Sequence, residues 1–473
     1  MAIAIPSAFQ APTNHNWVSS LELQTVVGVH APEVMESLIP RYGNQNITGL
    51  MEMQGSMNPV QAQLYTHFEE NRLHTVVQFD AHAAGGANLA TTLTIAAAYQ
   101  YTYPTTAQAP YITTTGAVTT NPLIVNQVVE FPNEVRALVT AVSSSTATLV
   151  PIVSGEEIPQ VFTGTVVIII GNAHEEGSGQ PLGRNSNLSK YENNLMIMKA
   201  KASSTGTEMG QAVWFPLKDQ NGKTGYVWYY KAQFDEYTRF RNEREMMMLL
   251  GKKITNTTLA ALVPTNTVTE GLLPFIENYG NNYGYSAITG IQLADMELIS
   301  AQLDSQRGDK ENTMWCGFNL NLGVDAFMRD TMKNGAISYG VFGGSKEKAI
   351  DFGFDSFVIG NYTYHKKTYD LFNDPTLLGA DGFPYKNMAL IMPATKVGAH
   401  FSPGSKEKTM VPSLRINYLK GKGTGYSREM EEWLTGGVDG VYTNEDDVRN
   451  YNMRSHWGFE GFGANRFFKV FQQ

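Results

Sequence analysis

The chain has 473 residues, 35 basic and 44 acidic side chains, a formal net charge of −9 and one cysteine. That length supplies core for two or three domains. A lone Cys316 excludes an internal disulfide framework and fits a reducing cytosol, and the absence of any polybasic run argues against tight sequence-specific nucleic-acid binding.

Charge is unevenly placed. Residues 1–183 carry three basic side chains (Arg41, Arg72, Arg136) against thirteen acidic ones, while the remainder is nearly balanced. The N-terminal residues hold no basic n-region of a secretory signal, and runs such as 166–170 fall far short of the ~18 apolar residues that span a bilayer. A soluble, non-exported chain is expected.

Residues 1–60 are punctuated by proline and polar residues, with short apolar snatches such as "LQTVVGV". They read as an arm that must lie on something else to be ordered. In "PVQAQLYTHFEENRL" the stripe Val60, Leu64, His67 and Phe68 predicts a short amphipathic helix, so 61–90 reads as a helix and lead-in. From 91 to 172 the texture turns to β: "TTLTIAAAYQYTY", "LIVNQVVEF", "VRALVTAV", "TATLVPIV" and "QVFTGTVVIII" alternate with turn signals. Spacing of about ten residues predicts a small β-barrel-like domain of about five strands.

"GNAHEEGSGQPLG" follows, with His174, Glu175, Glu176 and Ser178 among glycines. It lacks the second histidine of a zinc helix and any third group for acid–base work. A turn in which Gly177 and Gly179 permit positive φ is the better reading. Next comes a polar stretch with one alternating strand, "LMIMKAKA", expected to form half of a long protruding hairpin. In "GYVWYYKAQFDEYTRFRNEREMMMLLGKK" Tyr230, Phe234, Tyr237 and Phe240 recur at helical spacing. Asp235 and Arg239 stand four apart, where a helix lets them pair, and Gly251 supplies a stop. Further helices are expected at "LADMELISAQLDSQ" and "GVDAFMRDTM", and strands at "SFVIGNYTYHKK", "MALIMPA", "SLRINYL" and the aromatic C-terminus.

Other chemistry fails on spacing. "LRINYLKGKGTGYSREMEEWL" mimics a nucleotide-binding turn, but neither the dinucleotide nor the phosphate-loop pattern is present; a loop capped into a helix at Ser427 is expected. The nine histidines are dispersed, and His67 with His74 lacks a third ligand. Asp374 and Asp381 depart from calcium-loop spacing, Cys316 reads as a buried thiol, and the repeated "GSKEK" (344–348, 404–408) as solvated turns. No metal, cofactor or catalytic residue is expected.

The run "EEGS", the strand "NLMIMK" with "SST", and a helix ending "EMMMLLGKK" together resemble the major capsid proteins of tailed bacteriophages with the HK97-type fold, most of all those of crAss-like phages. The likeness spans about 161–253, with weaker support from "FGFDSFVIGNYTYH" and "WGFEGFGANRFF". It implies an α+β fold: N-terminal arm 1–60, an inserted barrel-like domain 91–172, an extended E-loop 173–215, a peripheral P-domain with its spine helix 216–274, an axial A-domain 275–445, and a return to the P-domain at 446–473. Gly177 and Gly179 would be the E-loop hinge; Arg184, Lys190, Tyr191 and Lys199 would touch a neighbouring subunit. Implied partners are other copies, as hexamers and pentamers, with portal, scaffold and decoration proteins and packaged double-stranded DNA. The implied place is the virion shell, made in the bacterial host's cytoplasm. Lys190, Lys199 and Lys201 lie in the expected E-loop, but no positioned acid would activate them, so a covalent lysine–asparagine crosslink is not expected. The alternatives are another phage structural part (tail, baseplate or decoration) and a hydrolase with a β accessory domain.

Overall fold

The computed structural model describes residues 50, 56–70, 72, 74, 76–97, 101–105, 116–181, 188–210, 217–218, 224–225, 228–256, 258–259, 268–333, 356–394, 396–399, 409–422, 425–438 and 440–473. Strands run along the whole chain, and the named helices lie between 206 and 373. The chain divides into two compact units, 67–191 and the combined 1–66 and 192–473. Arg184, both "GSKEK" runs and nearly all of the arm lie outside the described residues.

In the unit 67–191, six strands are antiparallel neighbours in the order Val76–Gln78, Val166–Asn172, Gln127–Glu130, Arg136–Val142, Thr146–Pro151 and Thr91–Thr94. The two ends meet. Phe79 bridges Ile95, the Asp80 N–H donates to Thr94 O and the Ala96 N–H to Gln78 O, each at 2.9 Å. The hydrogen-bond ring is therefore closed, leaving no open edge. Register shifts at Ile169/Gly171 and Val139/Ala141 bend two strands, as closure of so small a ring requires.

Alternation fills the interior. Val77, Phe79, Leu93, Ile95, Val129, Ala137, Val139, Ala147, Leu149 and Val167 point inward. Small Ala137 and Ala147 leave room for Phe79 and Phe131, whose rings stack 6.4 Å apart. Thr92 and Thr94 face out while Thr91 is buried, and the hydroxyls of Thr92 and Thr148 meet across strands at 3.0 Å.

Two expectations are corrected here. The ring needs Val76–Gln78, so it begins before residue 91. The helix expected near 59–73 is two strands, Ser56–Val60 and Leu64–Glu70. On the second of these, Leu64 and Phe68 are 53 % and 63 % exposed while Tyr65 and His67 turn inward, so the apolar pair that suggested a helix stripe lies on the outer face. Leu64–Glu70 pairs with Leu188–Asn194, so the chain's two passages between the units form one ribbon.

The larger unit holds two sheets. In the first, the order is Ser56–Val60, Leu414–Leu419, Val448–Gly461 and Met196–Thr205, and Glu431–Gly436 also pairs with Val448–Gly461. The long helix Trp228–Leu250 packs on one face of this sheet, its Arg244 guanidinium 3.5 Å from the Trp457 ring centre. The helix stops at Gly251, whose N–H donates to Met247 O at 2.9 Å. A Cβ there would stand 2.6 Å from Thr269 O and 2.7 Å from Met247 O, so only glycine fits.

The second sheet is mixed, in the order Asn281–Tyr285, Phe468–Gln472, Ala389–Pro393, Glu311–Cys316, Tyr362–Thr368 and Ser356–Ile359. It is covered on both faces, which explains the unbroken apolar runs "ALIMP" and "TMWC". Met314, Cys316, Ala389 and Ile391 meet the helices Leu293–Ser305 and Phe318–Lys333 through Met296, Ile299, Leu320 and Val324. Trp315, Leu390 and Met392 instead join Met248, Leu249, Phe275, Ile416 and Phe459 in the core beneath the long helix.

Further corrections follow. Met196–Thr205 is not half of a free hairpin but a strand of the first sheet, paired from Met196↔Trp457 to Thr205↔Val448. Leu414–Leu419 and Glu431–Gly436, expected with 275–445, belong to that same sheet; the helix expected after Ser427 is the strand Glu431–Gly436. The last strand, Phe468–Gln472, enters the second sheet rather than the first.

Candidate functional site

The glycine-rich stretch after the ring is a turn. The Ser178 hydroxyl and N–H donate to Glu175 O at 2.7 and 3.2 Å, and Gly177 adopts φ +77°. Gly179 does not have positive φ, so only one of the two glycines is needed for geometry. His174 Nδ1 lies 3.3 Å from Asn126 Nδ2, a contact that assembles no nucleophile and base. Among the described residues no group of three or more His, Cys, Asp or Glu could hold a metal ion. Cys316 is fully buried, and burial pushes its thiol up to about 12. Beside the expected nucleotide-binding look-alike, Lys420 bridges Ser427 and the Gly421 N–H donates to Tyr426 O at 2.8 Å.

The residues expected at contacts are scattered. Lys190 is exposed, Tyr191 stacks on His67 with ring centres 5.3 Å apart, and Lys199 projects from the sheet face opposite the long helix. Along that helix, Phe240 is buried (1 %), Tyr237 half-buried and Phe234 52 % exposed; the Tyr230 side chain lies outside the described residues. The buried stripe is therefore shifted toward the C-terminus, to Phe240, Arg244, Glu245, Met248 and Leu249. Asp235 and Arg239 do not pair: Lys231 bonds Asp235, and Arg239 bonds Glu236.

Strand pairing assembles a charged face that the linear sequence did not suggest. Opposite the long helix, Glu431 accepts from Arg454 Nε at 2.7 Å and lies 3.9 Å from Arg428. Arg454 sits over the Trp433 ring at 5.0 Å. Its guanidinium and a hydrogen bond from Tyr426 help hold the Glu431 carboxyl below the usual range, against the opposing effect of burial. His456 Nε2 is 3.1 Å from Arg428 Nη1. Burial, with Arg428, Arg454 and Lys199 nearby, lowers this imidazole to about 4. It is neutral at pH 7 and can accept from the guanidinium. The local signals were the alternations Lys199/Lys201 and Arg454/His456, but nothing local tells which strands would bring them together.

A second polar group secures the base of the ribbon. Tyr65 donates to Phe459 O at 2.5 Å, and burial raises its phenol well above the ordinary value. Asn193 donates to Glu270 O (2.8 Å) and Phe459 O (2.7 Å) and accepts from the Glu270 N–H at 2.9 Å. Lys253 lies 3.2 Å from the Glu270 carboxylate, and Asn417 donates to Glu460 at 3.0 Å. A Cβ on Gly458 would come 2.6 Å from Tyr65 Oη, so the strand can pass here only with glycine. Every named donor has an acceptor, as a structural clamp demands.

No helix among the described residues is long and apolar enough to cross a membrane. No protein-family model matches the chain, and no curated protein matches its sequence. Solved structures that it resembles include the capsid structure of the cyanophage P-SCSP1u, at 9 % identity and a TM-score of 0.42, over 97 % of this chain and 99 % of that one. Another is from Microbacterium phage Oxtober96, at 8 % identity and 0.40, over 96 % and 100 %. A third is the holo-SrpI encapsulin complex of Synechococcus elongatus PCC 7942, at 9 % and 0.32, over 60 % and 77 %. Similarities of this size assign no function.

Proposed function

We propose that this chain is a shell-forming major capsid protein of a tailed bacteriophage, built on the HK97-type plan and akin to those of crAss-like phages. One observation carries the reading: the long helix Trp228–Leu250 lies on a sheet whose central strand, Val448–Gly461, comes from the end of the chain and whose edge strand, Met196–Thr205, follows directly on a two-stranded ribbon. That is the order of parts which the resemblance over 161–253 calls for. On this reading the helix and first sheet are the P-domain and the second sheet is the A-domain. The E-loop is then the ribbon Leu64–Glu70 with Leu188–Asn194, and the closed ring is inserted between its two strands.

The physics of assembly fits. A two-stranded ribbon has no core of its own and gains stability by lying on a neighbour. Weak contacts repeated by symmetry, as hexamers and pentamers, let a shell correct errors while it closes. An acidic chain suits a container for double-stranded DNA, whose wall need not grip its contents. Portal, scaffold and decoration proteins are the partners this role calls for.

Expression of the chain alone and with its neighbouring genes, followed by sedimentation and negative-stain electron microscopy, tests the reading. Closed shells or hexameric and pentameric capsomers are expected; a stable monomer at high concentration in both preparations refutes it. Tubes or one small ring would point to a tail component instead.

A further inference from the structure

A buried ionisable side chain is tolerated when an opposite charge faces it, as Asp325 faces Lys366 and Lys253 faces Glu270. His456 departs from this. It is the one buried histidine among the described residues, 4 % exposed, and its surroundings are cationic. Arg428 from the segment before Glu431–Gly436, Arg454 on its own strand and Lys199 on the neighbouring strand bear on the ring, against the single carboxylate of Glu431. Ile197 stands opposite it in register.

His456 also lies at a gap in the strand ladder. Leu414–Leu419 pairs with Val448–Gly461 as far as Tyr418↔Trp457, and Glu431–Gly436 takes up the pairing at Glu431↔Arg454. Ser455 and His456 stand between the two ladders and hold the segment 425–430. The His456 N–H donates to Arg428 O at 2.9 Å, and the Ser455 hydroxyl donates to Glu429 O at 2.7 Å. Arg428 Nη1, 3.1 Å from His456 Nε2, completes the attachment. Away from the strand, the Arg428 N–H donates to Leu419 O at 2.9 Å and the Gly421 N–H to Tyr426 O at 2.8 Å, which ties these residues together.

A guanidinium has donors and no acceptor, so the 3.1 Å contact needs a lone pair on Nε2 and puts the ring's proton on Nδ1. A proton added at Nε2 sets two donors against each other. It also adds a fourth positive charge to a cluster with one carboxylate. Lysine and arginine keep their charge in mild acid, so the imidazole is the cation-forming group here that responds to it.

We propose that residues 425–430 are a latch on the strand Val448–Gly461, closed while His456 is neutral and released when it takes up a proton. Release frees Arg428 from the strand and leaves the flanking ladders in place. The latch acts within one chain, whether or not the chain builds shells.

Hydrogen exchange of the full-length protein, followed by peptide mass spectrometry and corrected for the intrinsic rate at each pH, tests this. Burial, together with the three cations, holds the closed-state imidazole at about 4, and the released ring returns to about 6.5. The closed state is therefore fully favoured above about pH 6.5 and loses ground as pH falls toward 4. Between pH 7 and 5 the opening equilibrium shifts by about 20-fold, or roughly tenfold once solvent at the rim is counted. Peptides that contain the His456 N–H and residues 425–430 should lose protection by that factor, while Ala389–Pro393 in the other sheet keeps its own. His456→Gln retains an acceptor and cannot titrate, so its latch should be equally protected at both pH values. Unchanged exchange in the native chain, or equal acceleration in His456→Gln, overturns the latch. Parallel loss of protection at Ala389–Pro393 overturns it too, because the chain then opens as a whole. If the variant does not fold, the native chain's comparison of latch and Ala389–Pro393 still decides.

Discussion

The neutral His456 makes stability depend on pH in a defined window. Its imidazole titrates at about 4 in the folded chain, because it is buried beside Arg428 and Arg454 with Lys199 near, and Glu431 is the one carboxylate offsetting them. In the unfolded chain the ring has its ordinary value near 6.5, so the unfolded state binds the extra proton between about pH 6.5 and 4. The stability contribution is fully present above about pH 6.5 and is lost as pH falls toward 4. The full difference corresponds to about 3 kcal/mol; solvent at the rim of the cluster reduces it to about 1–2 kcal/mol. Glu431, held below the ordinary carboxylate value, adds to the loss in the same direction at the acid end. The assay is urea unfolding followed by tryptophan fluorescence at half-unit steps from pH 7.5 to 4.5, for the native chain and for His456→Gln, whose amide can still accept from Arg428. The native chain should lose about 1–2 kcal/mol more than the variant across the window. Parallel curves for the two proteins would refute the argument.

Other predictions concern packing and reactivity. Phe240→Ala should cost about 3–5 kcal/mol while Phe234→Ala stays within about 0.5 kcal/mol, since one ring is buried and the other 52 % exposed; thermal melts of the pair distinguish them. Asp325→Ala removes the partner 2.5 Å from the buried Lys366 ammonium and should cost about 3 kcal/mol or more, much of which Lys366→Met in the same chain should restore. Cys316 should resist an aromatic disulfide reagent in the native protein at pH 8 and react fully in urea; fast native labelling would contradict its burial.

Local pattern made much of this fold legible. The helices near 228–250, 293–305 and 318–333, and the run of short strands from 127 to 172, announce themselves through spacing and turn residues. Gly251 could be read as a stop because a helix ending in glycine and lysines is a local event. Where the reading failed, the deciding contact was distant. Leu64 and Phe68 look like a helix stripe until Tyr65 finds Phe459 O, 394 positions away, and the strand turns Tyr65 and His67 inward. Asp235 and Arg239 suit each other at helical spacing, yet Lys231 and Glu236 are equally near along the same helix and take them instead.

The sequence by itself determined most of the elements, because hydrophobic period, turn residues and charge placement act over a few residues; it failed at 59–73 and after Ser427, where strands stand in place of the expected helices. It also determined that Cys316 lies in a run destined for burial. Only the tertiary structure decided which strands share a sheet. Val448–Gly461 takes partners from 196–205, 414–419 and 431–436, and that choice alone sets Arg454, Glu431, Trp433 and Lys199 on one face. Backbone hydrogen bonds are the same for every strand, so pairing is selected by how side chains from remote segments pack together, and that is not written within any one segment.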